Sequence, residues 1–199
     1  MRPPSLLHRP PPIVKAAILC KHFNYEGMAM AKPLMDDGLN QKIVACLQAT
    51  GRMSHAELAD RLEISRPTLI DRIKRLESEG VIEGYYAAVR PAAVNKPCVA
   101  YVSVKCRVER GKSENKFIEA LAREPDILEA YTIAGDDSLL LKIVADTPMG
   151  INELLYKIRS LGQDSSTRTT MVLETHFVKP GPSPFPCGVS GCDSHPEKR

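Results

Sequence analysis

Apolar residues at helical spacing mark the first ordered stretch of the chain. Leu39, Ile43 and Leu47 fall on one stripe, and Asp37 stands where a helix N-cap is needed. Thr50-Gly51-Arg52 ends that helix. Ser54-His55-Ala56-Glu57 is a capping-box pattern that opens a second helix, with Leu58 and Leu62 at i, i+4. Glu63-Ile64-Ser65 makes a tight turn. A third helix follows, with Pro67 tolerated in its first turn and Gly80 placed to stop it after Glu79. Leu69, Ile73 and Leu76 share its inner stripe, with Ile70 on the flank. Val81 to Val89 reads as a short hairpin broken at Gly84.

The pattern then changes to alternating strands and helices. Cys98 to Val108 is rich in strand formers; Ser113 to Arg123 is helical, with Phe117 and Leu121 at i, i+4. Ile127 to Ala134 and Leu139 to Ala145 read as strands around the turn Gly135-Asp136-Asp137-Ser138. Ile151, Leu154, Leu155 and Ile158 mark a second amphipathic helix, and Thr167 to Val178 a last long strand. The order βαββαβ is that of a split-βαβ, ferredoxin-like sandwich. The predicted fold class is therefore α+β: an N-terminal winged helix-turn-helix followed by a C-terminal ferredoxin-like α/β sandwich.

The two ends lack any such period. Residues 1–35 hold Pro3, Pro4, Pro10, Pro11, Pro12 and Pro33, and read as a disordered extension. Met28, Met30 and Met35 would each make a sensible start, which suggests an over-called initiation codon. Residues 179–199, with Pro180, Pro182, Pro184, Pro186 and Pro196, read as a disordered tail. The expected organisation is thus 36–84 for the helix-turn-helix, 85–97 for a hairpin linker, and 98–178 for the C-terminal sandwich.

Composition bounds the function more than it defines it. Apolar residues make up 43% of the 199, enough for a buried core. Six cysteines (20, 46, 98, 106, 187 and 192) form neither a CxxC pair nor a disulfide framework and fit a reducing cytosol. No apolar run reaches membrane-spanning length. The five histidines (8, 22, 55, 176 and 195) have no spacing suited to a triad or a metal-dependent hydrolase, so no enzyme, cofactor or metal site is expected.

The net charge of +3 does not by itself argue for nucleic acid. Residues 36–80 carry seven Lys/Arg against eight Asp/Glu. From Arg66 to Arg75, however, four cations face one anion, Asp71. A charged outer helix face is ordinarily just solvated. Three helices with a tight turn before the third are nevertheless what a helix-turn-helix requires. The candidate DNA-binding residues are Ser65, Arg66, Pro67, Thr68, Asp71, Arg72, Lys74 and Arg75. Thr68 and Arg66 are placed to read bases; Arg72, Lys74 and Arg75 are placed to meet phosphate.

Several segments together resemble the Lrp/AsnC (feast/famine) regulators: Leu47 to Ser54, Glu57-Leu58-Ala59, Ile64 to Thr68, Arg72 to Glu77 and Gly80 to Tyr85. Tyr131 to Asp136 with Leu139-Leu140-Leu141 is similar to that family's ligand-domain turn, and Thr167-Arg168-Thr169 to its final strand. The resemblance spans residues 36 to 178 in order. It implies DNA binding by homodimers built through the C-terminal domain, often assembled into octamers. It also implies an effector, typically an amino acid, bound between C-terminal domains by Tyr131, Gly135, Asp136, Asp137, Thr167 and Thr169. An aspartate could meet the ammonium group and the glycine turn the carboxylate; Gly and Asp are also ordinary turn residues. The family pattern continues with an aspartate and an aromatic residue where this chain has Ser138 and Leu139, and Asn40 stands where an aspartate is common. The implied location is cytoplasmic and nucleoid-associated.

Three other readings are distinguishable. An effector-independent, architectural DNA-packing protein would share the fold and the third helix. RNA binding through the sheet needs central-strand aromatics, of which only Tyr101 is present. Metal binding by the tail would use Cys187, Cys192, Asp193 and His195 at a loose spacing.

Overall fold

A computed structural model describes residues 32–105, 112–162 and 165–185. The described residues divide into two compact units: residues 89–175, and residues 32–88 together with 176–185.

The second of these units is helical. A short helix α1 (Lys32–Met35) precedes α2 (Gly38–Ala49), α3 (His55–Arg61) and α4 (Arg66–Ser78). The caps are those the sequence predicts. Asp37 accepts from the Leu39 amide, and Ser54 and Glu57 complete both halves of a capping box. Helix α4 ends because Gly80 takes a left-handed φ of 71°, which turns the Val81 and Ile82 amides back onto the Leu76 carbonyl. Ile43, Cys46, Leu58, Ala59, Leu69, Ile73 and Leu76 form the core, joined by Leu34 of α1. The extension expected to be disordered up to residue 35 is thus ordered at its last turn, because Leu34 has an apolar pocket to fill. Residues 1–31 lie outside the described residues.

The hairpin expected over Val81–Val89 does not form. With Val81 and Ile82 committed to ending α4, residues 83–90 run without pairing to any strand. A 3-10 turn (Pro91–Val94) follows.

The other unit is the predicted βαββαβ arrangement. Its elements are β1 (Cys98–Lys105), α5 (Lys112–Ala122), β2 (Ile127–Thr132), β3 (Leu139–Ala145), α6 (Pro148–Leu161) and β4 (Ser166–Met171). The strands lie in the order β2-β3-β1-β4, with every neighbouring pair antiparallel. Alternation sends Ala100, Val102, Val104, Leu139, Leu141 and Ile143 to one face, where Phe117 and Leu121 of α5 and Ile151, Leu154 and Ile158 of α6 cover them. The opposite face carries Tyr101, Lys142, Glu129 and Tyr131, with Lys142 bonded to Glu129 at 2.9 Å.

The last strand is shorter than its apolar pattern suggests. It ends at Met171, Val172 still donates to the Val99 carbonyl, and Leu173, Phe177 and Val178 then lie exposed in unpaired chain. The tail expected to be disordered from 179 is placed as far as Phe185. Gln48 of α2 donates to the Pro182 carbonyl at 3.0 Å, and Gly181 sits so close to that amide that a side chain there would crowd it. Residues 186–199, with the tail's cysteines and His195, lie outside the described residues, as does Cys106. Among the described residues no helix is long and apolar enough to cross a membrane, and no cluster of metal-ligating side chains occurs.

Candidate nucleic-acid interface and effector site

The start of α4 is built by its own side chains. Ser65 is the N-cap: its hydroxyl accepts from the Thr68 amide at 3.2 Å and shares a 2.7 Å hydrogen bond with the Thr68 hydroxyl. Both hydroxyls, assigned to DNA by the sequence, are therefore also engaged in capping. Pro67 occupies the first turn, where its missing N–H costs nothing.

Burial of Leu69, Ile73 and Leu76 leaves Arg66, Pro67, Thr68, Asp71, Lys74 and Arg75 on the exposed surface. The side chains of Arg66, Lys74 and Arg75 make no hydrogen bond or ion pair among the described residues. Three cations thus stand unneutralised on one helix, as a phosphate-binding surface needs.

Arg72 is placed differently. Its Nη1 donates to Asp37 Oδ2 at 2.5 Å and to Asn40 Oδ1 at 2.8 Å. Asn40, 3% exposed, donates in turn from Nδ2 to the Leu34 carbonyl at 2.8 Å. The bond from Arg72, reinforced by the Leu39 amide, holds the Asp37 carboxyl below its ordinary value. Sequence reasoning missed Asp37 and Asn40 as partners of the third helix. The available signal was a polar residue, Asn40, on the inward stripe with Ile43 and Leu47.

An open groove of about 440 Å³ runs along the flank of α4, lined by Leu47, Met53, His55, Ile70, Lys74 and Tyr85 among others. Tyr85 closes one side by donating to Glu77 Oε1 at 3.0 Å. Burial, followed by that hydrogen bond, pushes its phenol up to about 12.

The residues assigned to an effector are not all brought together within one protomer. Tyr131 lies on β2 and Thr167 and Thr169 on β4, at opposite edges of the sheet. Three strand spacings separate those edges by about 14 Å. Thr167 and Thr169 pair with Val104 and Val102, so they share the helix-covered face, whereas Tyr131 pairs with Leu140 on the open one. The turn spans part of this distance. Gly135 has φ 146°, and Ser138 donates to the Val104 carbonyl, fastening the loop to β1. Asp136 is exposed. Asp137 Oδ2 comes to 4.0 Å from Arg168 Nη1 on β4. Arg168 is a second residue that sequence reasoning passed over, although its alternation with Thr167 and Thr169 marked it as facing the other side.

A helix-turn-helix whose third helix carries three unneutralised cations, followed by a ferredoxin-like sandwich, is the architecture of a two-domain DNA-binding regulator. Residues 36–83 match the winged helix-turn-helix DNA-binding family profile and residues 99–182 the Lrp/AsnC ligand binding domain. The chain belongs to the Lrp/AsnC family of transcriptional regulators and is not an enzyme. It is 30% identical over 140 residues to the HTH-type transcriptional regulator FL11 of Pyrococcus furiosus, covering 70% of this chain and 91% of that protein. It is 29% identical over 136 residues to the leucine-responsive regulatory protein of Rhizobium meliloti, covering 68% and 87%. Among solved structures, a feast or famine regulatory protein of M. tuberculosis complexed with L-methionine superposes with a TM-score of 0.67. It has 28% identity and covers 74% of this chain and 98% of that one.

Proposed function

We propose that the chain binds a pseudo-palindromic DNA site as a homodimer and that an amino acid, bound between C-terminal domains, changes its occupancy. The observation that carries the DNA half is the face of α4, where Arg66, Lys74 and Arg75 are exposed beside Thr68 with no partner among the described residues. Lys74 and Arg75 meet phosphate, while Arg66 and Thr68 at the helix N-terminus meet base edges in the major groove. Two such helices, one per protomer, enter successive major grooves about 34 Å apart.

The exposed apolar residues support the homodimer. Tyr85, Tyr86 and Val89 on one unpaired segment, and Leu173, Phe177 and Val178 on another, are the kind of surface a second copy covers. The resemblance adds assembly of dimers into octamers. A second copy also resolves the split of the effector set, since residues at opposite edges of one sheet can meet across an interface. The relative solved with L-methionine supports an amino acid as ligand class. Asp136 and Asp137 then face its ammonium group and the Gly135 turn its carboxylate. Such a regulator works on the nucleoid, in the cytoplasm.

One observation favours effector independence. Leu139, in the place where the family pattern has an aromatic residue, is buried at 3% exposure as part of the core under α5 and α6. The deciding experiment measures binding to the gene's own upstream region at two salt concentrations, with and without mixed amino acids. Selective binding altered by the mixture establishes the effector reading. Selective binding without a response moves the assignment to an effector-independent regulator, and non-selective binding to an architectural protein.

A further inference from the structure

We infer that Arg72 is a positioning residue for DNA recognition, locked by Asp37 and Asn40 to set the roll of α4, and does not act as a phosphate ligand. The inference rests on α4 being the helix that reads DNA.

The apolar stripe Leu69, Ile73 and Leu76 holds α4 against the core, but apolar packing is non-directional and leaves a helix some freedom to roll. Base reading tolerates placement errors of about half an ångström. Directional bonds supply the missing restraint. One guanidinium nitrogen, on the second turn of α4, reaches both the cap and the first turn of α2. Asn40 extends the link to the Leu34 carbonyl at the end of α1. Its amide has one sensible orientation, because flipping it would set NH2 against the guanidinium and leave the Leu34 carbonyl facing an oxygen. Among the described residues Asn40 is the one buried polar side chain. Drawing Arg72 away to a phosphate would leave its Oδ1 buried without a donor, a loss that opposes the move. Lys74 and Arg75, by contrast, give up nothing when they meet phosphate.

The charge arrangement also explains Asn40 itself. An aspartate there would place a second carboxylate beside Asp37 around one arginine. Here Asp37 provides the charge and Asn40 the bridge, since an amide, unlike an ionised carboxylate, can accept from Arg72 and donate to Leu34 at once.

The test uses the full chain with two duplexes, the gene's own upstream site and an unrelated sequence, titrated over a range of salt. Asp37→Asn retains a good N-cap and so keeps the helix, while removing the charge that holds Arg72. Arg72→Lys keeps the positive charge but replaces the planar guanidinium whose Nη1 reaches both Asp37 and Asn40 with an ammonium on a different stem. Both variants should bind the specific duplex about tenfold more weakly per folded molecule. Affinity for the unrelated duplex should stay within about twofold and the salt slope should stay unchanged; one charge-assisted hydrogen bond accounts for a change of this size. Lys74→Ala, measured alongside, should lower the slope by about 0.9. Stronger binding of Asp37→Asn to both duplexes would show Arg72 released to phosphate and would overturn the inference. So would a lowered melting temperature with specific affinity unchanged, which would make the cluster merely structural. If the unaltered chain itself fails to discriminate the duplexes, the recognition role of α4 falls and the inference with it. Discrimination retained in all variants sinks the inference alone.

Discussion

Asp137 and Arg168 face each other at 4.0 Å across the loop after β2, with side-chain exposures of 18% and 80%. An ion pair this long and this exposed on one side is worth under about 1 kcal/mol. Its charges are therefore available to a ligand at little cost to the fold. Asp137→Asn and Asp136→Ala should each leave the melting temperature within a few degrees and DNA affinity without amino acids unchanged. Both should abolish the shift in DNA affinity that mixed amino acids produce, as read by fluorescence anisotropy. A full response in both variants would remove the turn from the effector site.

The exposed cations of α4 predict a salt signature. Replacing Arg75 by Ala should weaken binding to specific and unrelated duplexes alike and reduce the salt slope by about 0.9 for each phosphate that is no longer neutralised. The oligomeric state should be unaffected, because Arg75 makes no ion pair among the described residues. Sedimentation of the variant checks this; dissociation would place Arg75 in an interface instead.

Ser54 and Glu57 form a closed capping box at the start of α3, with Glu57 Oε2 accepting from the Ser54 amide at 2.8 Å. Ser54→Ala should cost about 1 kcal/mol of stability. For a small unit that lowers the melting temperature by about 4–8 °C, visible by calorimetry. Specific DNA affinity of the folded variant should be retained, since α4 is seated by other side chains.

Leu34 is 9% exposed and its carbonyl accepts from Asn40. A chain beginning at Met35 loses both, whereas one beginning at Met28 or Met30 keeps them. The shorter chain should lose about 2 kcal/mol, the low end of the cost of emptying a buried leucine site. Denaturant titration of the two chains compares them directly; equal midpoints would show α1 to be dispensable.

Tyr85 titrates late. Its neutral phenol is favoured in the folded chain by burial and by the bond to Glu77, with a pKa of about 12 against an ordinary 10.0. This contribution to stability is complete below pH 10 and disappears as pH rises through about 12. Phenolate absorbance should show a step near pH 12 from Tyr85, and Tyr85→Phe should remove that step. Asp37 acts at the other end of the scale. Its lowered pKa contributes stability above the ordinary carboxylate value and loses it as pH falls below.

The parts of this protein legible in its sequence are those set within a few residues. The Asp37 and Ser54 caps and the Gly80 stop connect groups two to six positions apart. The stripes Leu69-Ile73-Leu76 and Val102-Val104 follow from helix and strand periods alone. Segment order was enough for the βαββαβ topology and, with the motifs, for the family. Tertiary structure decided where long side chains and strand edges end up. Arg72 looked like a phosphate ligand because its sequence neighbours are cations, yet its partners lie 35 and 32 residues away. Tyr131 and Thr169 looked like one site, yet the sheet order sets them at opposite edges. Residues 83–90 and 173–178 have the composition of strands, but a strand exists only when another lies alongside, and none does within one chain. Local rules fix conformation through the backbone, whereas these outcomes depend on which distant groups the packed core brings within hydrogen-bonding reach.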